Sequence, residues 1–198
     1  MRMSFLGDSY DIVKRFLLQS LAPDTDWVAL TMFSQEVESK DIELFEKFLG
    51  VRVISRTMFS SDIDRTEHFS IAPYYQYVFI DPDTGVKLKP TRGPSSDKYI
   101  FGPELVKLCS GNPNRLLLVF DQSVPRGKER RSISEKLMFF QKEGISGFAY
   151  LSHACFLVLS SNEHACKIAY ASLLSSGLPG DRIITLEKAV CNKSRGSL

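Results

Sequence analysis

Two aspartates that end apolar runs are the residues of this sequence best suited to chemistry. Asp81 ends the run YQYVFI and opens the segment DPDTG, and Asp121 ends the run LLLVF and opens the segment DQS. In open α/β sheets, ligands bind beyond the carboxyl ends of the strands. If the two strands are parallel neighbours, both carboxylates lie at one rim of the sheet, with Asp83 beside them. The same residue types also form helix caps and Asx-turns, so a purely structural role stays open.

Basic residues follow both of these runs. The segments VKLKPTRGPSSDK and VPRGKERR each carry four basic residues and one acid. The whole chain has a net charge of only +2, from 25 Lys and Arg against 23 Asp and Glu, so this positive charge is local. It predicts an anionic or phosphate-bearing ligand, with nucleic acid as one candidate. The alternative is that these residues only keep surface loops solvated.

A histidine lies where the late apolar stretch GFAYLSHACFLVLSS is interrupted. Because an imidazole titrates near neutral pH, His153 is a candidate general base or ligand contact, with a structural role as the alternative. The predicted catalytic residues are therefore Asp81, Asp121 and His153. The predicted ligand-binding residues are Asp83, Lys87, Lys89, Arg92, Gln122, Ser123 and Arg126.

Several familiar site motifs do not occur in the sequence. No GxxxxGK[ST] phosphate loop and no GxSxG nucleophile turn is found. The four cysteines have no CxxC spacing, so we expect reduced thiols in a core and assign no metal-ligating residue. They are Cys109, Cys155, Cys166 and Cys191.

The elements that must position these residues alternate between helix and strand. Asp8 or Ser9 caps a first helix, the strand WVALTMF follows, and Ser39 caps a second helix that Gly50 ends. Three later helices separate the apolar strands: GPELVKLCSG, SISEKLMFFQKEG and SNEHACKIAYASLLSSG. The last predicted strand is DRIITL. Residues 86–98 are predicted to be a loop.

This alternation predicts an α/β fold, a three-layer α/β/α sandwich with a mainly parallel, Rossmann-like sheet. The break near His153 predicts an antiparallel hairpin at the edge of the sheet. With 198 residues, we expect a single domain, with a flexible C-terminal tail from about residue 189. The absence of a long apolar run predicts no membrane partner, and an N-terminus without a signal-peptide pattern predicts a cytoplasmic location.

Two stretches resemble a known family. The strand end Ile80-Asp81-Pro82-Asp83 is similar to the Asp-Pro-Pro-Tyr motif of the Rossmann-fold S-adenosylmethionine-dependent methyltransferases of the adenine-N6 type. The opening GDSYDIVKRFLLQSL resembles the Asp-x-x-Lys first helix of the ribosomal RNA members. The chain departs from that pattern in having Asp83 and Thr84 where the family has proline and an aromatic residue, and in having no glycine in WVALTMFSQEV.

The resemblance implies a methyltransferase-like enzyme that acts on nucleic acid or another phosphate-bearing substrate. Asp81 would orient the target amine, Lys14 would lie near the cofactor S-adenosylmethionine, and a hairpin-like pair would follow the later strands. Two other functions stay open. One is a Mg²⁺-dependent phosphoesterase or nuclease, with Asp81, Asp83 and Asp121 as the cation's oxygen ligands. The other is a non-catalytic binding or assembly module.

Overall fold

The computed structural model describes residues 5–23, 25–60, 62–93 and 95–186. The helices in these ranges are α1 (Ser9–Leu21), α2 (Ser39–Leu49), α3 (Arg65–Ser70), α4 (Gly102–Ser110), α5 (Glu129–Lys142) and α6 (Glu163–Ser175). The strands are β1 (Val28–Thr31), β2 (Arg52–Val53), β3 (Tyr77–Asp81), β4 (Gly85–Lys87), β5 (Tyr99–Phe101), β6 (Leu116–Asp121), β7 (Ser146–Leu151), β8 (Cys155–Ser160) and β9 (Ile183–Ile184).

A seven-stranded sheet forms the centre of the described structure, in the order β2-β1-β3-β6-β8-β7-β9. Strands β2, β1, β3 and β6 are parallel to one another. Strand β8 runs antiparallel to both β6 and β7, and the short β9 pairs antiparallel with β7. The predicted Rossmann-like α/β sheet with an antiparallel hairpin towards one edge is therefore confirmed.

Helices cover both faces of this sheet, which completes the predicted three layers. Helices α1, α2 and α6 pack on one face, against the alternate side chains Phe79, Leu118 and Phe120. Helices α3, α4 and α5 pack on the other face, against Ile80 and Val119. Strands buried on both faces read as continuous apolar runs, which is why β3 and β6 are evident in the sequence.

Three local predictions differ from the structure. Ser39 does not cap α2, because it is the first residue of the helix and Glu38 occupies the cap position. Residues 86–98 are not simply a loop, because β4 and β5 pair in parallel as a separate two-stranded sheet whose Val86 and Ile100 enter the core. Helix α5 begins at Glu129, ahead of the predicted cap at Ser132. An acid in the first turn suits the helix dipole, and the Glu129 carboxylate accepts a hydrogen bond from the backbone N–H of Gly127 at 2.8 Å.

Helix α1 begins as predicted. The carboxylate of Asp8 accepts hydrogen bonds from the backbone N–H groups of Tyr10 and Asp11, at 2.8 and 3.1 Å, and so caps the helix. This cap fixes the first turn of α1 above the carboxyl end of the sheet.

Three predicted core thiols, Cys109, Cys155 and Cys166, are free and buried. Cys191 and the predicted flexible tail lie outside the described residues. None of the helices in the described part of the chain has the length and apolar character needed to span a bilayer.

Candidate functional site

Strands β3 and β6 end side by side at one rim of the sheet. They are parallel neighbours in which Ile80 pairs with Val119, so Asp81 lies beside Phe120. The prediction that both aspartates lie at the carboxyl ends of adjacent parallel strands agrees with this pairing.

The two aspartates nevertheless point to opposite faces of the sheet. Successive side chains of a strand alternate between faces, so Asp81 shares a face with Phe79, and Asp121 shares the other face with Val119. The pairing places the two residues one position out of phase. Phe120 therefore stands where the sequence analysis expected the second carboxylate, and the two acids do not share an opening.

Asp81 lies in a buried ion cluster with two residues of α1. The Lys14 Nζ lies 3.1 Å from Asp81 Oδ2 and 3.0 Å from Asp11 Oδ1. The other Asp11 oxygen accepts a hydrogen bond from the Gly7 backbone N–H at 2.9 Å. The exposed fractions of Asp11, Lys14 and Asp81 are 3%, 4% and 1%. The first helix thus fixes the carboxylate at the end of β3.

The second carboxylate oxygen of Asp81, Oδ1, is not part of this ion cluster. Among the described residues, no group forms a hydrogen bond with the buried Oδ1. Burial raises the pKa of Asp81, and the attraction of Lys14 offsets this only in part. Burial alone would lower the pKa of Lys14, but the two carboxylates outweigh it and raise that pKa. A buried, unsatisfied carboxylate oxygen is costly, and such groups are characteristic of functional sites.

A cavity of about 460 Å³ opens at Asp81. Its size lies in the range that small organic ligands occupy. The polar residues that line it are Asp8, Asp11, Lys14, Asp81, Asp83 and Gln122. The aromatic residues that line it are Phe5, Tyr10 and Phe120. Of the predicted site residues, the cavity thus brings together Asp81, Asp83 and Gln122.

Asp121 is held in a separate network on the other face. Its Oδ1 accepts hydrogen bonds from the Val86 N–H at 3.0 Å, the Ser123 N–H at 3.0 Å and the Ser123 hydroxyl at 2.6 Å. Its Oδ2 pairs with Lys136 of α5. Since both oxygens are engaged and the residue is fully buried, Asp121 anchors β4 to the end of β6 and does not line the cavity.

Glycine is required where β4 passes this network. Gly85 has φ +138°, and a Cβ there would lie 2.2 Å from Asp121 Oδ1. The segment DPDTG therefore carries a functional candidate at its first position and a packing requirement at its last.

His153 lies at the tip of the β7–β8 hairpin, on the outside of the cavity wall. Its exposed ring contacts Ser9 Oγ at 3.2 Å and lies 4.5 Å from the ring of Tyr10. Tyr10 in turn lines the cavity and packs edge-on against Phe120. The histidine contacts the wall of the cavity through Tyr10 and is not one of the lining residues.

The predicted basic residues lie outside the cavity. Lys87 ends β4, with its Nζ 3.8 Å from the centre of the Tyr99 ring. Lys89, Arg92 and Arg126 are exposed on the segments that follow β4 and β6. Val86 of β4 belongs to the core on the face of the sheet that carries Asp121, so the segment after β4 starts across the sheet from the cavity.

The donor atoms for a cation do not converge. Among the described residues, no group of three or more His, Cys, Asp and Glu side chains could hold a metal ion. Of the three acids considered for Mg²⁺, Asp121 lies across the sheet from Asp81 and Asp83. The arrangement that the phosphoesterase alternative requires is therefore not found in the described part of the chain.

Sequence reasoning named Lys14 in the first-helix pattern but missed the burial of the Asp11–Lys14 pair, and it missed Lys136 and Phe5 altogether. Asp11 and Lys14 have the i, i+3 spacing of a helical ion pair, which identifies them as neighbours but not as buried. Lys136 lies on the apolar stripe of α5, between the buried Ile133 and Phe140. A lysine at such a position indicates a buried acid opposite it. No comparable signal identifies Phe5.

Comparison with known proteins gave no match among family models, curated proteins or solved structures.

Proposed function

We propose that this chain is a methyltransferase-like enzyme in which Asp81 binds an amino group of the substrate. The observation that carries the proposal is the free Oδ1 of Asp81, buried at a ligand-sized cavity beyond the carboxyl end of β3. A carboxylate oxygen without a partner is suited to accept a hydrogen bond from an N–H group. An enzyme that acts on an amine needs such an acceptor to orient the nitrogen and its lone pair.

The residues around the cavity fit S-adenosylmethionine in part. The cavity has a suitable volume, a buried hydrogen-bond acceptor and aromatic walls. These features come from α1, from the ends of β3 and β6 and from the segments next to them. The end of β1 does not fit, since Met32 and Phe33 are fully buried there and no glycine leaves room for a ligand. The cofactor would therefore be held by the first turn of α1 and by the segments after β3 and β6.

S-adenosylmethionine would supply an activated methyl group to the amine nitrogen; its sulfur would keep the electron pair of the broken carbon–sulfur bond, and the amine would lose one proton. This chain's own contribution is orientation and charge. Asp81 accepts an N–H of the amine, and Lys14 holds the Asp81 carboxylate in place through Oδ2. The buried Phe120 and the half-buried Tyr10 form aromatic walls that limit the access of water.

The basic segments support a phosphate-bearing substrate, with nucleic acid as the proposed partner. Lys89 and Arg92 follow β4, Arg126 follows β6, and all three are exposed. A substrate that places an amine at Asp81 would have to extend across the rim of the sheet for its phosphates to reach these exposed cations.

The test is transfer of a labelled methyl group. The full chain is incubated with methyl-labelled S-adenosylmethionine and with total RNA or DNA, and the label in the nucleic acid is counted. We expect transfer by the wild type and a loss of about 100-fold or more in Asp81→Asn. Asp26→Asn is the matched control, because this exposed acid precedes β1 at the opposite end of the sheet.

Melting curves show whether each variant folds. Failure of the wild type to transfer label and to bind S-adenosylmethionine by calorimetry would contradict the proposal and favour a non-catalytic binding module. A folded Asp81→Asn variant with wild-type transfer would show that Asp81 has no part in the reaction.

A further inference from the structure

The aromatic wall of the cavity at Asp81 contains one side chain that is only partly packed into the protein. Tyr10, in the first turn of α1, is half-buried, whereas Phe120 at the end of β6 is 4% exposed. Both rings line the cavity. The cap at Asp8 fixes the backbone of Tyr10 but not the direction of its ring. A half-buried side chain can change rotamer unless its neighbours hold it, so this wall depends on what contacts the Tyr10 ring.

Two aromatic rings contact Tyr10. The ring of Phe120 packs edge-on, with the two ring centres 5.7 Å apart. The imidazole of His153 is closer, with a centre-to-centre distance of 4.5 Å and the two planes inclined by 41°. Aromatic pairs at such distances attract each other beyond the burial of their surfaces. The closer of the two contacts thus comes from a residue that does not itself line the cavity.

The tip of the β7–β8 hairpin presents His153 in a defined position. The backbone N–H of Ser152 donates a hydrogen bond to the carbonyl of Ala154 at 2.8 Å, which closes the turn. Ala154 is buried and belongs to the core on the α1 face. The Nε2 atom of His153 lies 3.2 Å from Ser9 Oγ, so the imidazole is held at its far end as well. His153 is therefore fixed against the first two residues of α1.

A continuous line of contacts leads from Tyr10 to Asp81. The Phe120 ring, which packs against Tyr10, has the Lys14 Nζ 4.4 Å from its centre. That Nζ lies 3.1 Å from Asp81 Oδ2. The Tyr10 ring thus belongs to the same packed group as the carboxylate, and His153 supports this group from the outside.

We propose that His153 is a positioning residue, which holds the Tyr10 ring as the wall against which the amine-bearing group of the substrate packs at Asp81. This inference rests on the proposed function. Without the imidazole, the wall position of Tyr10 loses its closer aromatic contact and is occupied for a smaller fraction of the time. The apparent affinity of a site that is formed for only a fraction of the time falls by that fraction.

This role has a kinetic signature. A wall contacts the substrate equally in the ground state and in the transition state, so its loss raises KM and leaves kcat unchanged. The contacts of Asp81 with Lys14 do not involve His153 and should persist. If His153 had only a structural role, its removal would change stability but not the KM of the folded enzyme.

Steady-state methyl transfer by the full chain tests the inference. KM and kcat are measured for the nucleic acid that accepts the label, at saturating S-adenosylmethionine. In His153→Ala we expect KM to rise about three- to tenfold, the factor that one aromatic contact contributes to an equilibrium constant, with kcat within about twofold of the wild type. His153→Phe keeps a ring against Tyr10 and should return KM to within about twofold of the wild-type value. His164→Ala is the matched control, since His164 is also exposed, lies on α6 and does not line the cavity.

A double variant tests whether His153 acts through Tyr10. Tyr10→Leu removes the wall itself and should raise KM at least as much as His153→Ala does. Adding His153→Ala to Tyr10→Leu should then raise KM no further, because residues that act through one contact are not additive. KM increases that multiply in the double variant would overturn the proposed route through Tyr10.

The other outcomes separate this inference from the proposed function. An unchanged KM in a His153→Ala variant that melts as a folded protein and transfers label would overturn the positioning role and leave the proposed function intact. A raised KM that His153→Phe does not restore would overturn the ring contact as its cause. Absence of transfer by the wild type would overturn the proposed function together with this inference.

Discussion

Replacing Lys14 with methionine tests whether one buried cation holds the acids of the site in place. Lys14 is 4% exposed and lies 3.0 Å from Asp11 and 3.1 Å from Asp81. Methionine fills a similar volume but leaves both carboxylates without their cationic partner. Removing one side of a buried ion pair costs about 3 to 5 kcal/mol, so we expect the free energy of unfolding to fall by about that amount at pH 7.

The loss should depend on pH with a defined sign. Burial raises the pKa of Asp81, and Lys14 opposes that rise, so the pKa should rise further in Lys14→Met. A group whose pKa is higher in the folded than in the unfolded protein favours folding at low pH, and this contribution is lost as pH rises through the folded value. The deficit of the variant should therefore be larger at pH 7 than at pH 5.

Urea unfolding of wild type, Lys14→Met and Lys40→Met at both pH values provides the measurement. Lys40 is the control because it also pairs with an acid, Glu38, at 2.9 Å, but the two side chains are 71% and 73% exposed. Such surface pairs contribute at most about 1 kcal/mol. A loss below about 1 kcal/mol in Lys14→Met, or a deficit that grows as pH falls, would refute the proposed role of Lys14.

Two further predictions concern other parts of the molecule. Burial, and to a lesser extent Arg65, lowers the pKa of His68 from 6.5 to about 4. The wild type should therefore lose about 3 kcal/mol of stability relative to His68→Gln as pH falls from 6.5 to 4 in urea unfolding, and parallel profiles would contradict this. For nucleic-acid binding, Arg92→Ala should reduce the slope of log affinity against log salt by about 1, whereas Lys40→Ala should not; an unchanged slope for Arg92→Ala would exclude a phosphate contact at that residue.

The rim of the sheet could be predicted from sequence because the two strands that form it are continuous apolar runs. The runs that end at Asp81 and Asp121 are buried on both faces, so apolar residues are continuous and the first polar residue marks the end of each strand. The cap of α1 at Asp8 is equally local. These signals located Asp81 at the carboxyl end of a parallel strand without any knowledge of its neighbours.

The relation between the two aspartates could not be predicted, because it depends on register. Ile80 pairs with Val119, and this offset of one residue sends Asp81 and Asp121 to opposite faces. No residue pattern within either strand encodes that offset. Each aspartate instead meets a lysine from the helix on its own face, Lys14 from α1 and Lys136 from α5.

The small second sheet was missed for a similar reason. Strands β4 and β5 have three residues each, too few for a visible alternation, and the contact of Val86 with Asp121 joins segments far apart in the chain. The acidity of the cavity is also a product of folding. Asp8 and Asp11 come from one helix and Asp81 from a strand about 70 residues later, whereas the basic segments are contiguous and therefore dominate the sequence pattern.

The most direct measurement is a crystal structure of the full chain with an amine-bearing substrate fragment and sinefungin, which carries an amine in place of the sulfonium of S-adenosylmethionine. The account predicts a nitrogen of the bound molecules about 3 Å from Asp81 Oδ1, with Lys14 still bonded to Oδ2. Density for the ligands elsewhere on the molecule, or an Asp81 carboxylate that contacts neither ligand, would contradict it.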